Sequence, residues 1–226
     1  MSGPVLHPLP PLDASTPDHL RQLQEQRARA EATPLREGLV LPFVPLSSFS
    51  HAQASPNPQK QQNDAVGPAL QQRPLDEELL DLLRSPPDDP ECELEVRLVE
   101  PYATGSDRWS QVWLADVEVD GRPQAEVVVK FLVEALFPST RAEEAGGESM
   151  KREWKTAEEL LMAEIDSYAA SRLLQGLDLP YLYGVALFRM PWGETVPGLF
   201  LEDLGHVDTL EDSASASKET EAVAEE

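Results

Sequence analysis

Cysteine is nearly missing. Cys92 stands alone in 226 residues, which excludes an internal disulfide and suits a reducing compartment. Basic residues are also scarce: 18 Lys and Arg face 41 Asp and Glu, a formal net charge of −23, and no run of Lys or Arg occurs. Binding a phosphate backbone or an anionic bilayer needs a basic surface, so neither nucleic acid nor a membrane is an expected partner. Long apolar runs are missing too; none approaches the roughly 20 residues of a membrane span. The opening Met-Ser-Gly-Pro-Val-Leu-His-Pro has no basic stretch followed by an apolar core, so it does not read as a signal peptide. Metal-ligand spacing, a G-x-S-x-G string and a Cys–His arrangement are not found either. The expectation is a soluble protein of the cytoplasm or nucleus with no metal site of its own.

Proline is in excess, with 21 residues clustered toward the first part of the chain. Residues 1–90 read as a largely disordered Pro- and Gln-rich region, because pieces such as Ser55-Pro56-Asn57-Pro58-Gln59-Lys60-Gln61-Gln62 cannot bury enough apolar surface to offset ordering entropy. Two helices interrupt it. The first starts at Thr16-Pro17-Asp18, a cap, a proline and an early acid, and runs to about Ala32. Its only leucines are Leu20 and Leu23, so it reads as a solvated helix without a core face. The second, Asp76 to Arg84, carries a dense stripe of Leu79, Leu80, Leu82 and Leu83. It fits an L-x-x-L-L partner-binding pattern, although such a helix more often docks on its own domain. Pro86-Pro87-Asp88-Asp89-Pro90 marks a domain boundary.

From Glu91 the pattern changes. Leu94–Val99 alternates as a strand, Ala103–Ser110 is a polar turn containing Gly105, and Gln111–Val119 is a second strand. Asp120-Gly121 predicts a tight hairpin into a third strand, Ala125–Leu132. A polar loop from Pro138 to about Arg152 leads to the longest helical pattern, about Glu153 to Gln175, with Leu160, Leu161, Ile165, Tyr168, Ala169, Leu173 and Leu174 at helical spacing and Gly176 to end it. Leu182–Met190 and Pro197–Leu204 follow as fourth and fifth strands, and residues 205–226 as an acidic low-complexity tail.

The chain is organised around Ala125-Glu126-Val127-Val128-Val129-Lys130-Phe131-Leu132. A lysine inside an apolar strand needs a partner for its charge. Alternation puts Lys130 on the face of Val128, where an apolar wall beside one long cation suits a nucleotide triphosphate. A lysine reaching past a strand edge into water is the plain alternative.

Val127-Val128-Val129-Lys130 stands like the V-A-I-K strand of protein kinases. With Glu164-Ile165-Asp166-Ser167-Tyr168, Leu174-Gln175-Gly176 before Pro180, and Gly198-Leu199-Phe200-Leu201-Glu202-Asp203-Leu204, it carries a resemblance. From about Leu94 to Leu204 the chain resembles the small lobe of the protein-kinase-like superfamily, and more narrowly divergent fungal kinase-like proteins. The resemblance implies an α+β fold, a five-stranded antiparallel sheet with one long helix, spanning residues 91–204 between the N-terminal region and the tail. It implies that Lys130 contacts phosphates and pairs with Glu164, with Glu158, Glu159 and Asp166 as rivals. It sets Gly105 on the first glycine of G-x-G-x-x-G-x-V and Val112 on its valine, but Asp107 and Ser110 on the other two glycines, with Trp109 at the tip. An aspartate there meets triphosphate with like charge, a cost on the order of 1 kcal/mol. Glu202 and Leu204 match the linker whose backbone binds adenine, with Leu201 behind them.

The implied cofactor is ATP, bound weakly or not at all. No H-R-D-type loop or D-F-G string occurs: of His7, His19, His51 and His206, none is followed by Arg-Asp. Catalysis by this chain alone is not expected. Two readings stand beside an unrelated α+β domain. One is a truncated kinase-like lobe with weak nucleotide binding. The other is an interaction protein whose exposed cleft face is covered by a protein partner or by the Leu79–Leu83 helix.

Overall fold

The computed structural model describes residues 17–46, 73–86, 92–138 and 156–205. The Gln-rich piece, the proposed boundary after Pro86, the loop after Pro138 and the acidic tail after Gly205 lie outside the described residues.

All five expected strands form, and a sixth joins them. In chain order the elements are α1 (Pro17–Ala32), β1 (Val40–Pro45), α2 (Glu77–Arg84), β2 (Leu94–Ala103), β3 (Gln111–Val119), β4 (Arg122–Phe131), α3 (Ala157–Ala170), β5 (Leu182–Arg189) and β6 (Thr195–Leu201). Short 3₁₀ turns occupy Glu134–Leu136 and Arg172–Leu174. The strands close into an antiparallel barrel in the order β1-β2-β3-β4-β6-β5. The expected open five-stranded sheet with one long helix is therefore corrected: the sheet is a closed six-stranded barrel, and it carries three helices.

The closing strand comes from the region read as disordered. Pro42 and Pro45 hide it, because proline cannot donate to a ladder. The structure accommodates them by dividing the strand: Val40–Pro42 pairs with β2 and Phe43–Pro45 with β5. Leu41 and Phe43 point inward while Pro42 and Val44 face out, the alternation of a half-buried strand. Register shifts in β2 between Leu98 and Glu100 and between Pro101 and Ala103 bend that strand, which assists closure.

Phe43, Phe131, Phe188 and Phe200 fill the barrel, with ring centroids 4.9–5.6 Å apart. Val127, Val129 and Phe131 of β4 are fully buried in this interior. At Gly198 a Cβ would stand 2.8 Å from the Phe188 ring, so only glycine leaves room for it. The Asp120-Gly121 hairpin forms as expected, with φ of +51° and +69°.

The helices depart from their sequence patterns in two ways. First, α1 is not simply solvated: Leu23 and Ala30 are buried, and the Arg27 side chain between them is 11% exposed. Its stripe at 23, 27 and 30 has a charged middle member, which a search for apolar periodicity passes over. Second, α3 ends at Ala170 instead of running to Gln175. Buried Gln175 donates to the Tyr168 carbonyl at 2.9 Å and accepts from the Leu182 amide at 3.1 Å, so its side chain finishes the helix and ties it to β5. Leu173 and Leu174 consequently leave the apolar face and are 86% and 44% exposed. By contrast α2 is capped by Asp76 as expected, and Leu79 and Leu83 dock into the barrel cluster.

Between β5 and β6, the Trp192 Nε1 donates to Glu194 at 2.7 Å. Burial raises the Glu194 carboxyl above its ordinary value of 4.5, opposed by the Trp192 hydrogen bond and reinforced by Glu134. A raised carboxyl binds its proton more readily in the folded state, so its charge costs stability above the folded pKa. That cost disappears as pH falls toward the ordinary value. Glu194→Gln, which keeps the acceptor, is expected to raise Tm at pH 7, with the gain shrinking toward pH 4.5. A Tm lowered at pH 7 by this change would contradict the assignment.

Candidate functional site

The outer face of the barrel, away from the phenylalanines, carries the lysine. Alternation along β4 turns Val128 and Lys130 outward, and antiparallel register places Val112 beside Lys130 and Leu201 beside Val128. Leu161 and Ile165 of α3 pack against this face with Val128, Leu199 and Leu201. Thr156 and Glu159 fix the start of α3 through a reciprocal capping box. Glu164, two turns further on, meets the lysine: Nζ of Lys130 donates to Oε1 of Glu164 at 2.6 Å. The two side chains are 23% and 34% exposed, so the stems are covered while the charges still reach solvent. Of the acids weighed for this role, Glu164 makes the contact. Burial, and then the Glu164 carboxylate, push the neighbouring Tyr168 hydroxyl up to about 12.

Gly105 lies at the end of this face, in the turn between β2 and β3, with φ +115°. Its amide donates to the side-chain oxygen of buried Gln111 at 2.8 Å, and its carbonyl accepts from the Gln111 side-chain Nε2 at 2.8 Å. The Asp107 amide donates to Leu136 O at 3.0 Å. Two amides that a phosphate clamp would use are thus engaged within the protein. The Trp109 ring lies 5.2 Å from Phe137, which packs in the same cluster as Leu161 and Ile165.

At the other end, β6 stops at Leu201, so Glu202 and Leu204 lie in the segment after it and not in the strand. The Glu202 side chain is turned away from the face. It accepts from Arg73 Nε at 2.8 Å and Nη2 at 3.0 Å and from the Tyr181 amide at 3.0 Å, while its own amide donates to Tyr181 O. The Glu202 carbonyl and the Leu204 amide make no hydrogen bond to the described residues. Tyr102 donates to Asp203 at 3.2 Å, and burial, then Asp203, push its hydroxyl up to about 12.

The structure therefore brings Val112, Val128, Lys130, Glu164 and Leu201 together, sets Gly105 at the margin, and diverts the Glu202 side chain to the scaffold. Sequence reasoning missed Arg73 and Arg27, which arrive from segments where no pattern marked them. Nη2 of Arg27 on α1 donates to Asp107 at 2.9 Å and its Nε to Glu31 at 3.0 Å. Burial acts to lower the Arg27 pKa, and the hydrogen bonds and charges of Asp107 and Glu31 outweigh it and raise the group. A cavity of about 340 Å³ lies between the end of α1 and the turn, lined by Glu31, Leu35, Ser106, Gln111 and Trp192 among others. Its lining does not include Lys130 or Glu164, so cavity volume and charge chemistry fall at different places, and the paired cation belongs to the lysine face. Among the described residues, no group of three His, Cys, Asp or Glu is placed to hold a metal ion. No described helix is long and apolar enough to cross a membrane.

Fold and face together define a small closed-barrel domain carrying a lysine–glutamate pair on its outer surface. In comparisons with known proteins, no family model, no curated protein and no solved structure matches the chain.

Proposed function

We propose that this chain is a divergent kinase-like module that binds ATP weakly through the Lys130 face and does not transfer phosphate by itself. The supporting observation is the Lys130–Glu164 contact at 2.6 Å beside Val112, Val128 and Leu201. A cation held in place next to an apolar wall suits a base and one phosphate group. The Glu202 carbonyl and Leu204 amide, which make no hydrogen bond to the described residues, fit the edge of a purine. The engaged Gly105 and Asp107 amides, and a single lysine, limit the affinity. The chain has no H-R-D or D-F-G string to supply a base and metal ligands. The lone Cys92 suits the cytoplasm or nucleus.

For a Kd of about 1 mM, Mg-ATP at about 10 mM adds about 1.4 kcal/mol of stability, a rise in Tm of about 3–6 °C. Lys130→Met is expected to abolish that rise while changing the ligand-free stability by about 1 kcal/mol or less, because both partners remain partly solvated. No Tm shift in the wild-type chain, or an equal shift in the variant, would refute the nucleotide reading.

A second reading is an interaction protein. It is favoured by the neighbouring apolar side chains of Leu173 and Leu174, which are 86% and 44% exposed. The Leu79–Leu83 helix no longer serves it, since Leu79, Leu80 and Leu83 are buried in this chain's own fold. Leu173→Asp separates the two readings: it would abolish binding of a partner and leave the ATP-induced shift unchanged.

A further inference from the structure

The aspartate at position 107 stands where a phosphate-binding turn would tolerate it least, and α1 supplies the answer to that charge. Arg27 Nη2 lies 2.9 Å from Asp107 Oδ1, and Ser106 Oγ donates to Glu31, one helical turn along α1, at 3.0 Å. Leu23 and Ala30 anchor the helix on either side of Arg27, so these contacts are made by a docked element. The His19–Glu134 contact at 3.3 Å holds the first part of the same helix to the 3₁₀ turn whose Leu136 carbonyl accepts from the Asp107 amide. The turn leads directly into Gln111 and Val112, and Val112 is the register partner of Lys130. Its far limb reaches Phe137 through Trp109. Asp107 itself has a left-handed φ of +65°, a conformation unfavourable for a side chain with a Cβ, so surrounding contacts hold it. Arg27 Nη1 is buried without a hydrogen-bond partner, so this site keeps a guanidinium at the expense of one unsatisfied donor.

We propose that Arg27 is a positioning residue for the Lys130 face. It draws the Asp107 carboxylate toward α1 and neutralises it, so that the turn beside Lys130 admits an anionic ligand. This inference rests on the nucleotide reading for its ligand, and on geometry alone for the restraint of the turn. The helix acts through Asp107 and touches no ligand itself.

The test uses the full chain, Mg-ATP titrated by calorimetry, and hydrogen exchange at the amides of residues 105–110. Arg27→Met is expected to weaken ATP binding about tenfold, the effect of removing one counter-charge from Asp107 in a partly dry site. It should also speed exchange of the Asp107 amide about tenfold. Adding Asp107→Asn to Arg27→Met should return the affinity to within about twofold of wild type, because the repelling charge is gone; a merely structural role for Arg27 would show no such rescue. Asp107→Asn alone, which leaves the apolar anchoring of α1 intact, should bind ATP at least as tightly as wild type. Unchanged affinity in Arg27→Met, or failure of Asp107→Asn to restore it, overturns the proposal. If the wild-type chain binds no ATP, the nucleotide reading fails separately. The restraint of the turn is then upheld by faster Asp107 exchange in Arg27→Met and refuted by unchanged exchange.

Discussion

Phe43→Ala is expected to cost about 3–5 kcal/mol, the range for truncating a buried aromatic side chain. That is a large part of the stability of an ordinary domain. Phe43 is 5% exposed and belongs to the strand that closes the barrel. Its ring stands 5.0 Å from Phe200 and 5.6 Å from Phe188, so alanine leaves a void between two strands that pair elsewhere with each other. The surrounding sheet is hydrogen-bonded on both sides of β1 and cannot collapse freely into the gap. Removing residues 1–90 altogether is expected to do more, since β1, α1 and the α2 leucines leave together; that chain should show no cooperative melting transition. Urea unfolding of Phe43→Ala is the quantitative check. A loss below about 1 kcal/mol would mean that β1 is dispensable to the core.

Glu202→Ala is expected to cost about 2–3 kcal/mol, more than a surface ion pair contributes. Its carboxylate is 10% exposed and receives three hydrogen bonds, two from Arg73 and one from the Tyr181 amide. Arg73 in turn donates to the carbonyls of Leu177 and Leu179, and its own carbonyl accepts from the Tyr181 hydroxyl. One side chain thus binds the entry to α2, the approach to β5 and the exit from β6. Truncation strands the guanidinium, which at 34% exposure recovers part of the loss from water. Glu202→Gln should lose less, because its amide oxygen still accepts from Arg73. Equal losses in the two variants, by chemical denaturation at pH 7, would show that the charge and not the hydrogen-bonding geometry matters.

The lysine face was readable because its determinants are local. In Val127-Val128-Val129-Lys130 a period of two assigns each side chain to a face without knowledge of any other strand. Glu164 was singled out over Glu158, Glu159 and Asp166 only by the resemblance, and helical spacing alone left those acids open. The turn was only half readable. A polar turn around Gly105 could be seen, but nothing near Asp107 in sequence disclosed that its counter-charge sits 80 residues earlier. Likewise Glu202 looked like a linker residue until Arg73 arrived from 129 positions away.

By itself, then, the amino-acid order determined five strands, the Asp120-Gly121 hairpin, the capped start of α2 and the face that Lys130 shares with Val128. Each depends on alternation, a cap or a positive φ within a few residues. Closure of the barrel was decided only in three dimensions. Val40–Pro45 contains two prolines and becomes a strand because β2 and β5 each offer it half a ladder and a space for Phe43. The docking of α1 was decided in the same way, since an arginine-centred stripe has no apolar signature until Asp107 and the barrel end meet it. Non-local pairing supplies hydrogen bonds, burial and counter-charge that no window of the chain contains.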